Sequence, residues 1–382
     1  MDTLWEENSP NEIRTLNPQN RNAGCSPSPP REERRPIHTQ VHGEDPFESG
    51  LTSRSQSTLP STKLTDPFLN HRDLTEWILT QRPPRAQVDP FKPHGFFLEK
   101  ERSASGKIVS SAVVLLTNKE CPWRCLMCDL WKYTLTQTVP LGAIPQQIEY
   151  AVAHLSSQPE QFKLYNSGSF FDSAAVPISE YSAIAQKVFF AKNVVVESHP
   201  RLVGERALHL RDVLEGSLEV AIGLETIHPH VLPRLNKRFT LTHFERSVQY
   251  LRKEGIAVRA FVLVKPPFMS EAEGIEWAVR SAEFAFSTGV GVVSLIPTRL
   301  GNGALERLME AGQFTSPGLG SLERALEGAL NLRQGRSFAD TWNLDQFSSC
   351  SGCLDSRRER LRLMNLRQHI LPTVECGICG ER

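Results

Sequence analysis

Between residues 106 and 311 the chain alternates short β-branched or apolar runs with amphipathic stretches of helical length, and this alternation restricts the fold more than any other feature. The strand candidates are 112–117, 162–166, 193–197, 218–223, 257–264 and 290–296. The helix candidates are 146–156, 179–191, 203–214, 242–254, 271–288 and 303–311. The stretch 242–254 shows the basis: Thr242 and Glu245 have capping-box spacing, and Phe244, Val248 and Leu251 recur on one helical face. Gly255 then supplies a C-terminal stop. Six strand–helix units in succession predict a parallel sheet with right-handed crossovers. An open doubly wound sheet and a partial barrel both satisfy the pattern, and both bind ligands at the C-terminal ends of their strands.

The flanks differ in character. Residues 1–68 are rich in Pro, Ser, Arg and Glu and lack apolar periodicity, the composition of a disordered tail. Cys25 lies there and reads as an incidental surface thiol. An N-terminal extension follows over 69–105, with a short helix expected near Asp73 and stopped before Pro83 and Pro84. The α/β core is placed at 106–313. Beyond it the strand pattern fades, and a C-terminal extension over 314–382 ends in a segment with four cysteines. No apolar run has the length of a membrane span, and the N-terminal residues do not resemble a secretory leader, so a cytoplasmic protein without membrane attachment is expected. Lys+Arg and Asp+Glu are each 43, giving zero formal net charge. That balance argues against a surface coated in positive charge for non-specific nucleic-acid binding, though not against a local basic patch.

Seven of the eight cysteines are clustered, which in a reducing compartment points to metal sites rather than disulfides. Cys121, Cys125 and Cys128 have C-x3-C-x2-C spacing and closely follow the strand at 112–117. Three thiolates in one loop can hold three corners of a 4Fe-4S cubane, leaving one iron open to a ligand. The alternative is a structural zinc that borrows a distant ligand, although zinc sites usually pair cysteines two by two. Cys350, Cys353, Cys376 and Cys379 form C-x2-C…C-x2-C, for which structural zinc is the first choice and a second iron–sulfur cluster the alternative. Between the two pairs lie Arg357, Arg358, Arg360, Arg362 and Arg367 on a helix candidate. Two readings stay open for it: binding of nucleic-acid phosphates, or a solvated face that closes the bottom of the domain.

The three-cysteine motif after the first strand, together with the six β/α units, resembles the radical S-adenosylmethionine (SAM) superfamily over 106–311. The resemblance implies a partial (β/α)6 TIM-like barrel in which SAM chelates the open iron. It further implies that one electron, delivered through the cluster from a reducing donor protein, cleaves SAM to methionine and a 5′-deoxyadenosyl radical. Asn166, Ser167, Gly168 and Ser169 resemble the segment that binds the SAM amino group, with Ser and Gly where two glycines and an acid are commoner. The alternative there is a plain tight turn. Glu197 and Ser198 are candidates for the ribose or amino group, and Arg201 for a carboxylate. His199 is either a ligand contact or a buried, hydrogen-bonded histidine. Gly223 and Glu225 resemble the family's glycine-and-acid segment, with Glu225 otherwise an outward salt-bridge partner. Lys265 and Arg299 end the fifth and sixth strands as candidate cations, and no residue is assigned as catalytic.

Residues 163–172, the box 197–201 and the two Cys-x2-Cys knuckles around an Arg-rich stretch are together more specific. Across 83–379 they resemble the radical SAM enzymes of archaeosine biosynthesis. That resemblance implies a tRNA partner and radical cleavage of a lysine side chain on a 7-deazaguanine base, leaving an amidine. The long N-terminal segment and the zero net charge are not part of that pattern. A radical SAM enzyme acting on a small molecule, and a zinc-stapled nucleic-acid-binding protein without catalysis, are the two alternatives. Asp172 either binds substrate or caps the helix that follows it.

Overall fold

The computed structural model describes residues 70–379; the segment 1–68 and Cys25 lie outside the described residues. Helix α1 (His71–Thr80) opens on Asn70, whose side chain accepts from the backbone N–H of Arg72 and Asp73. Strand β1 (Gly95–Arg102) then pairs antiparallel with β2 (Ile108–Leu115). From β2 onward every pair is parallel, and helices make the crossovers. In chain order these are α2 (Ala143–His154), β3 (Gln161–Tyr165), α3 (Tyr181–Lys187), β4 (Asn193–Ser198), α4 (Glu205–Val213) and β5 (Ser217–Glu225). There follow α5 (Leu241–Lys253), β6 (Ala257–Val264), α6 (Glu271–Thr288), β7 (Val292–Pro297), α7 (Ala304–Glu310), α8 (Leu319–Asn331), β8 (Arg336–Ala339) and α9 (Ser351–Arg367). The eight strands neighbour one another in chain order. No helix among the described residues is long and apolar enough to cross a membrane.

One face of the sheet is apolar and helix-covered. Val114, Leu164, Val196, Val220, Val262 and Leu295 alternate along the strands and share a core with Ile148, Ile184, Leu210, Phe244 and Leu326 of the helices. Each such side chain removed from water contributes roughly 1.5–3 kcal/mol. The other face is polar, and its contacts reveal the curvature. Four strands separate β1 from β6 in the sheet, yet Arg259 of β6 donates to both oxygens of Glu101 of β1, at 2.6 and 3.0 Å. The sheet is therefore curled, and these side chains meet on its concave face. Arg259 also donates to Glu219 at 2.7 Å, and Lys163 donates to Glu99 and Glu101. The two ends of the sheet are linked by side chains: Arg336 of β8 donates to the Arg102 carbonyl at 2.7 Å. The architecture is α/β, a partial barrel, as the resemblance implied.

Three expectations are corrected. The N-cap of α5 is Thr240, not Thr242, because His243 rather than Glu245 completes the capping box. The strand pattern does not fade after 313: α8 and the short β8 add a further unit, just as β1 adds a strand before 106. The Arg-rich stretch forms α9, but Arg357 and Arg360 are buried against Glu323 and Glu327 of α8. Arg358 and Arg362 pair with Asp355 and Glu359 of α9 itself. Asn365 bonds both backbone groups of Ala339, and Gln368 both of Ser337, all at 2.8 Å. Helix α9 thus satisfies the exposed edge of β8, a structural task.

Candidate functional site

The C-terminal ends of the parallel strands carry unusual backbone. Ser167 after β3, Glu225 ending β5, and Lys265 and Phe268 after β6 all have positive φ, from 53° to 73°. A non-glycine residue held there costs on the order of 1–3 kcal/mol, and such residues gather at functional sites. At β5 the cause is a bulge: the register with β6 slips between Gly223 and Glu225. The slip turns Glu225 onto Lys237, which donates to it. A Cβ at position 223 would displace the Lys237 ammonium and the Glu225 carboxylate, so glycine leaves room for this pair.

The three-cysteine loop sits against this rim and is tied down from several directions. Leu126 N–H bonds the Leu235 carbonyl at 2.9 Å, and the buried Asn302 amide donates to the Leu126 carbonyl at 2.7 Å. Asn236 donates to the Arg124 carbonyl at 2.8 Å and to Thr75 of α1 at 3.0 Å. Glu120, just before the first cysteine, accepts from Arg82 and Arg85 and lies 3.2 Å from Arg124. Gly168 lets the β3 loop approach, since a Cβ there would stand 3.1 Å from the Cys121 Cβ. Trp123 inside the loop stacks on His199, with centroids 3.7 Å apart and planes 8° from parallel.

Electrostatics distinguish the polar strand ends. Glu197 accepts from the N–H groups of Asn166 and Gly168, at 2.5 and 3.3 Å, and so shapes the 166–168 turn. Burial nonetheless pushes its carboxyl up to about 7. Ser169 and Ser198 are buried and hydrogen-bonded to each other at 3.0 Å. His199 is the buried, hydrogen-bonded histidine of the two readings: Nε2 bonds the Lys237 carbonyl at 2.8 Å, and Nδ1 accepts from the Arg201 N–H at 3.2 Å. Burial, then the Lys237 charge, lowers its pKa to about 3, so the ring is neutral. Asn166 is fully buried with neither Oδ1 nor Nδ2 partnered, and Thr117 Oγ1 and Asn118 Oδ1 at the end of β2 are likewise unpartnered. Burial raises the thiols as well, Cys121 to about 11 and Cys128 to about 12, and Cys125 well above its usual value. The three thiols are near enough for each to feel another's charge, but the four C-terminal cysteines are the one group among the described residues whose sulfurs are gathered at metal-binding distance.

Other candidates fall elsewhere. Arg201 is exposed, and its guanidinium donates to the Arg238 carbonyl at 3.3 Å, because the 3-10 turn Pro200–Leu202 carries it out of the strand end. Lys265 pairs with Glu271 at 2.7 Å and Arg299 with Asp340 at 2.9 Å, so both cations are used within the fold. Asp172 accepts from the Ala174 N–H at 2.9 Å, closing a turn before α3. Lys237 was not singled out from sequence. Its signal is faint, one cation within Asn236-Lys237-Arg238, where Asn236 and Arg238 have positive φ.

At the C-terminus, Cys350, Cys353, Cys376 and Cys379 present four sulfurs that all lie within 4.8 Å of one another. Cys350–Cys376 and Cys353–Cys379 are 3.9 and 4.0 Å apart. Four thiolates at zinc–sulfur distance around one tetrahedral ion stand about 3.8 Å apart. Backbone N–H groups of Cys379 and Ile378 point at the Cys376 sulfur and lower its pKa to about 6, as knuckle turns do in metal sites.

No protein-family model matches the chain. It is 31% identical over 242 residues to archaeosine synthase subunit beta of Thermococcus kodakarensis, covering 59% of this chain and 74% of that one. It is 27% identical over 237 residues to archaeosine synthase subunit beta of Methanosarcina acetivorans, covering 59% and 68%. Among solved structures, methylornithine synthase superposes with a TM-score of 0.46 at 11% identity, over 78% of this chain and 74% of that one. With its curled parallel sheet and three-cysteine loop, the chain belongs to the radical SAM superfamily, in the family of archaeosine synthase subunit beta.

Proposed function

We propose that this radical SAM enzyme holds a 4Fe-4S cluster on Cys121, Cys125 and Cys128, binds SAM across the ends of β3, β4 and β5, and modifies a 7-deazaguanine base in tRNA by cleaving its lysine side chain. The observation that carries the SAM site is the Asn166 amide, fully buried beside the cysteine loop with both polar ends unpartnered. Leaving such a group unsatisfied costs about 1–3 kcal/mol, and a ligand bearing an ammonium and a carboxylate restores its bonds. When bound, the cluster supplies the electron that splits SAM into methionine and a 5′-deoxyadenosyl radical.

The chain's own residues frame that chemistry. Ser167, Gly168 and Ser169 bring backbone to the cofactor, Glu197 and Ser198 hold the next strand end, and Gly223 with Glu225 and Lys237 forms the third wall. Beneath them Tyr165 and Phe261 meet edge to face at 5.8 Å, two residues beyond Lys163 and Arg259 of the Glu101 network. The tRNA substrate, the lyase reaction and a partner subunit are supported by the name of the relatives, archaeosine synthase subunit beta. A reducing cytoplasmic compartment with an electron-donor protein suits seven clustered thiols. We further assign the C-terminal quartet to structural zinc, since its sulfurs are spaced for one shared ion rather than for separate irons.

Anaerobically reconstituted protein, reduced in the presence of SAM, is expected to form 5′-deoxyadenosine. Asn166→Ala is expected to weaken SAM binding about tenfold or more while iron content stays at the wild-type level; unchanged SAM affinity refutes the site. The carboxyl of Glu197 gives a pH test. Below about 7 it is protonated in the free protein, and a bound sulfonium and ammonium favour its ionised form. SAM binding then releases a proton, so affinity rises as pH increases toward 7 and levels off above it. Glu197→Gln flattens this profile in calorimetric titrations at pH 6 and 8. Metal analysis of Cys353→Ala is expected to show loss of one zinc per chain, a lower melting temperature and an intact visible iron–sulfur band.

A further inference from the structure

Helix α9 uses four of its five arginines in ion pairs, two of them buried, which leaves little of its positive charge unmatched. The rim of the cysteine loop offers positive contacts. Arg201 and Arg238 are exposed, lie against each other through the Arg201 guanidinium and the Arg238 carbonyl, and have no carboxylate partner among the described residues. Arg238 is braced: its guanidinium donates to the His71 carbonyl at 3.0 Å and to Thr75 at 2.7 Å on α1. Asn236 ties the same α1 to the backbone of the cysteine loop. His199, two residues before Arg201, stacks on Trp123 of that loop. The two arginines therefore stand on segments that are tied to the three-cysteine loop, through Asn236 and through His199.

We propose that Arg201 and Arg238 form a phosphate-contact surface that docks the nucleic-acid backbone beside the three-cysteine loop, and that α9 takes no part in that docking. This rests on the tRNA reading above. Phosphate contacts fix register and orientation without reading sequence, which is what a site that must present one base to a buried radical requires. A zero net charge is compatible with it, because docking uses a local patch.

The test uses the full chain, reconstituted with both metal centres, and an unmodified tRNA transcript as probe, with affinity measured between 50 and 200 mM salt. Arg201→Gln with Arg238→Gln is expected to weaken binding roughly ten- to hundredfold at the lowest salt and to make the log–log salt slope shallower by about 1.5–2. Arg201→Lys with Arg238→Lys keeps the charge and is expected to restore the slope, and Arg358→Gln with Arg362→Gln on α9 to leave it unchanged. Melting temperature and iron absorption check that each variant is folded. If the wild-type chain binds no tRNA at any salt, the tRNA reading falls and the surface with it. If the wild type binds but the glutamine pair keeps its slope, the lysine pair fails to rescue it, or the α9 pair lowers it as much, the surface alone is overturned.

Discussion

Replacing Cys125 by alanine is expected to lower the rate of 5′-deoxyadenosine formation on the order of a thousandfold or more, with loss of the visible iron–sulfur absorption. Cys125 lies among buried groups, and its thiol is raised by that burial and by the proximity of Cys121 and Cys128. On the proposed cluster the three thiolates are held only as a set. Residues that act as a unit are grossly non-additive: the single replacement and the triple replacement of Cys121, Cys125 and Cys128 are expected to give the same residual rate. Cys353→Ala serves as the contrast, because its sulfur is grouped with three others, all within 4.8 Å of one another, far along the chain. Iron content, electron paramagnetic resonance of the reduced protein and 5′-deoxyadenosine measured on the same samples decide the matter. Full SAM cleavage by Cys125→Ala would sink the assignment of the cradle.

The parallel strands were legible because they are buried on the helix-covered face and read as β-branched runs bounded by turns; Ala257–Val264 agrees with its expected limits residue for residue. Strand β1 was not legible. Its sequence Gly-Phe-Phe-Leu-Glu-Lys-Glu-Arg places a half-exposed Glu99 and a buried Glu101 on the concave face, where only cations from β3 and β6 make the burial of Glu101 tolerable. No local pattern reports a partner 62 or 158 positions away. Strand β8 has four residues, and its edge is satisfied by Asn365 and Gln368 rather than by another strand. The arginines of α9 misled for a related reason, since a helix written as basic is neutralised by glutamates on α8.

At the site, cysteine spacing was enough to locate both clusters, because ligand spacing is local. The rest depended on loops that fold back. Lys237 reaches Glu225 only through the bulge in β5 and the left-handed turn at Asn236, and Arg201 leaves the strand end only because His199 and Pro200 start a 3-10 turn. The sequence shows Asn166 only as a polar residue after a strand, while its two buried and unpartnered polar atoms belong to the packed structure.

The concave-face network carries the second large effect. Arg259→Met is expected to destabilise the protein by about 3–5 kcal/mol, because it leaves Glu101 and Glu219 buried with less cationic compensation. In thermal unfolding this corresponds to a drop in melting temperature of roughly 6–15 °C. The pH dependence follows from Glu101. Burial alone would raise its carboxyl, but Arg259 and Lys163 outweigh burial and hold it well below the carboxylate value of 4.5. A depressed carboxyl contributes stability that is complete above about 4.5 and is lost as pH falls toward the folded-state value. In the variant the same carboxyl loses a guanidinium, protonates at milder acidity and so relieves part of its own cost. The gap between wild type and Arg259→Met is thus largest near neutral pH and narrows as pH falls below about 5. Glu101→Gln combined with Arg259→Met is expected to cost less than the sum of the two single changes, since they share one contact. Additive losses, or a gap that widens in acid, would show that the floor of the barrel is held by packing rather than by this charge network.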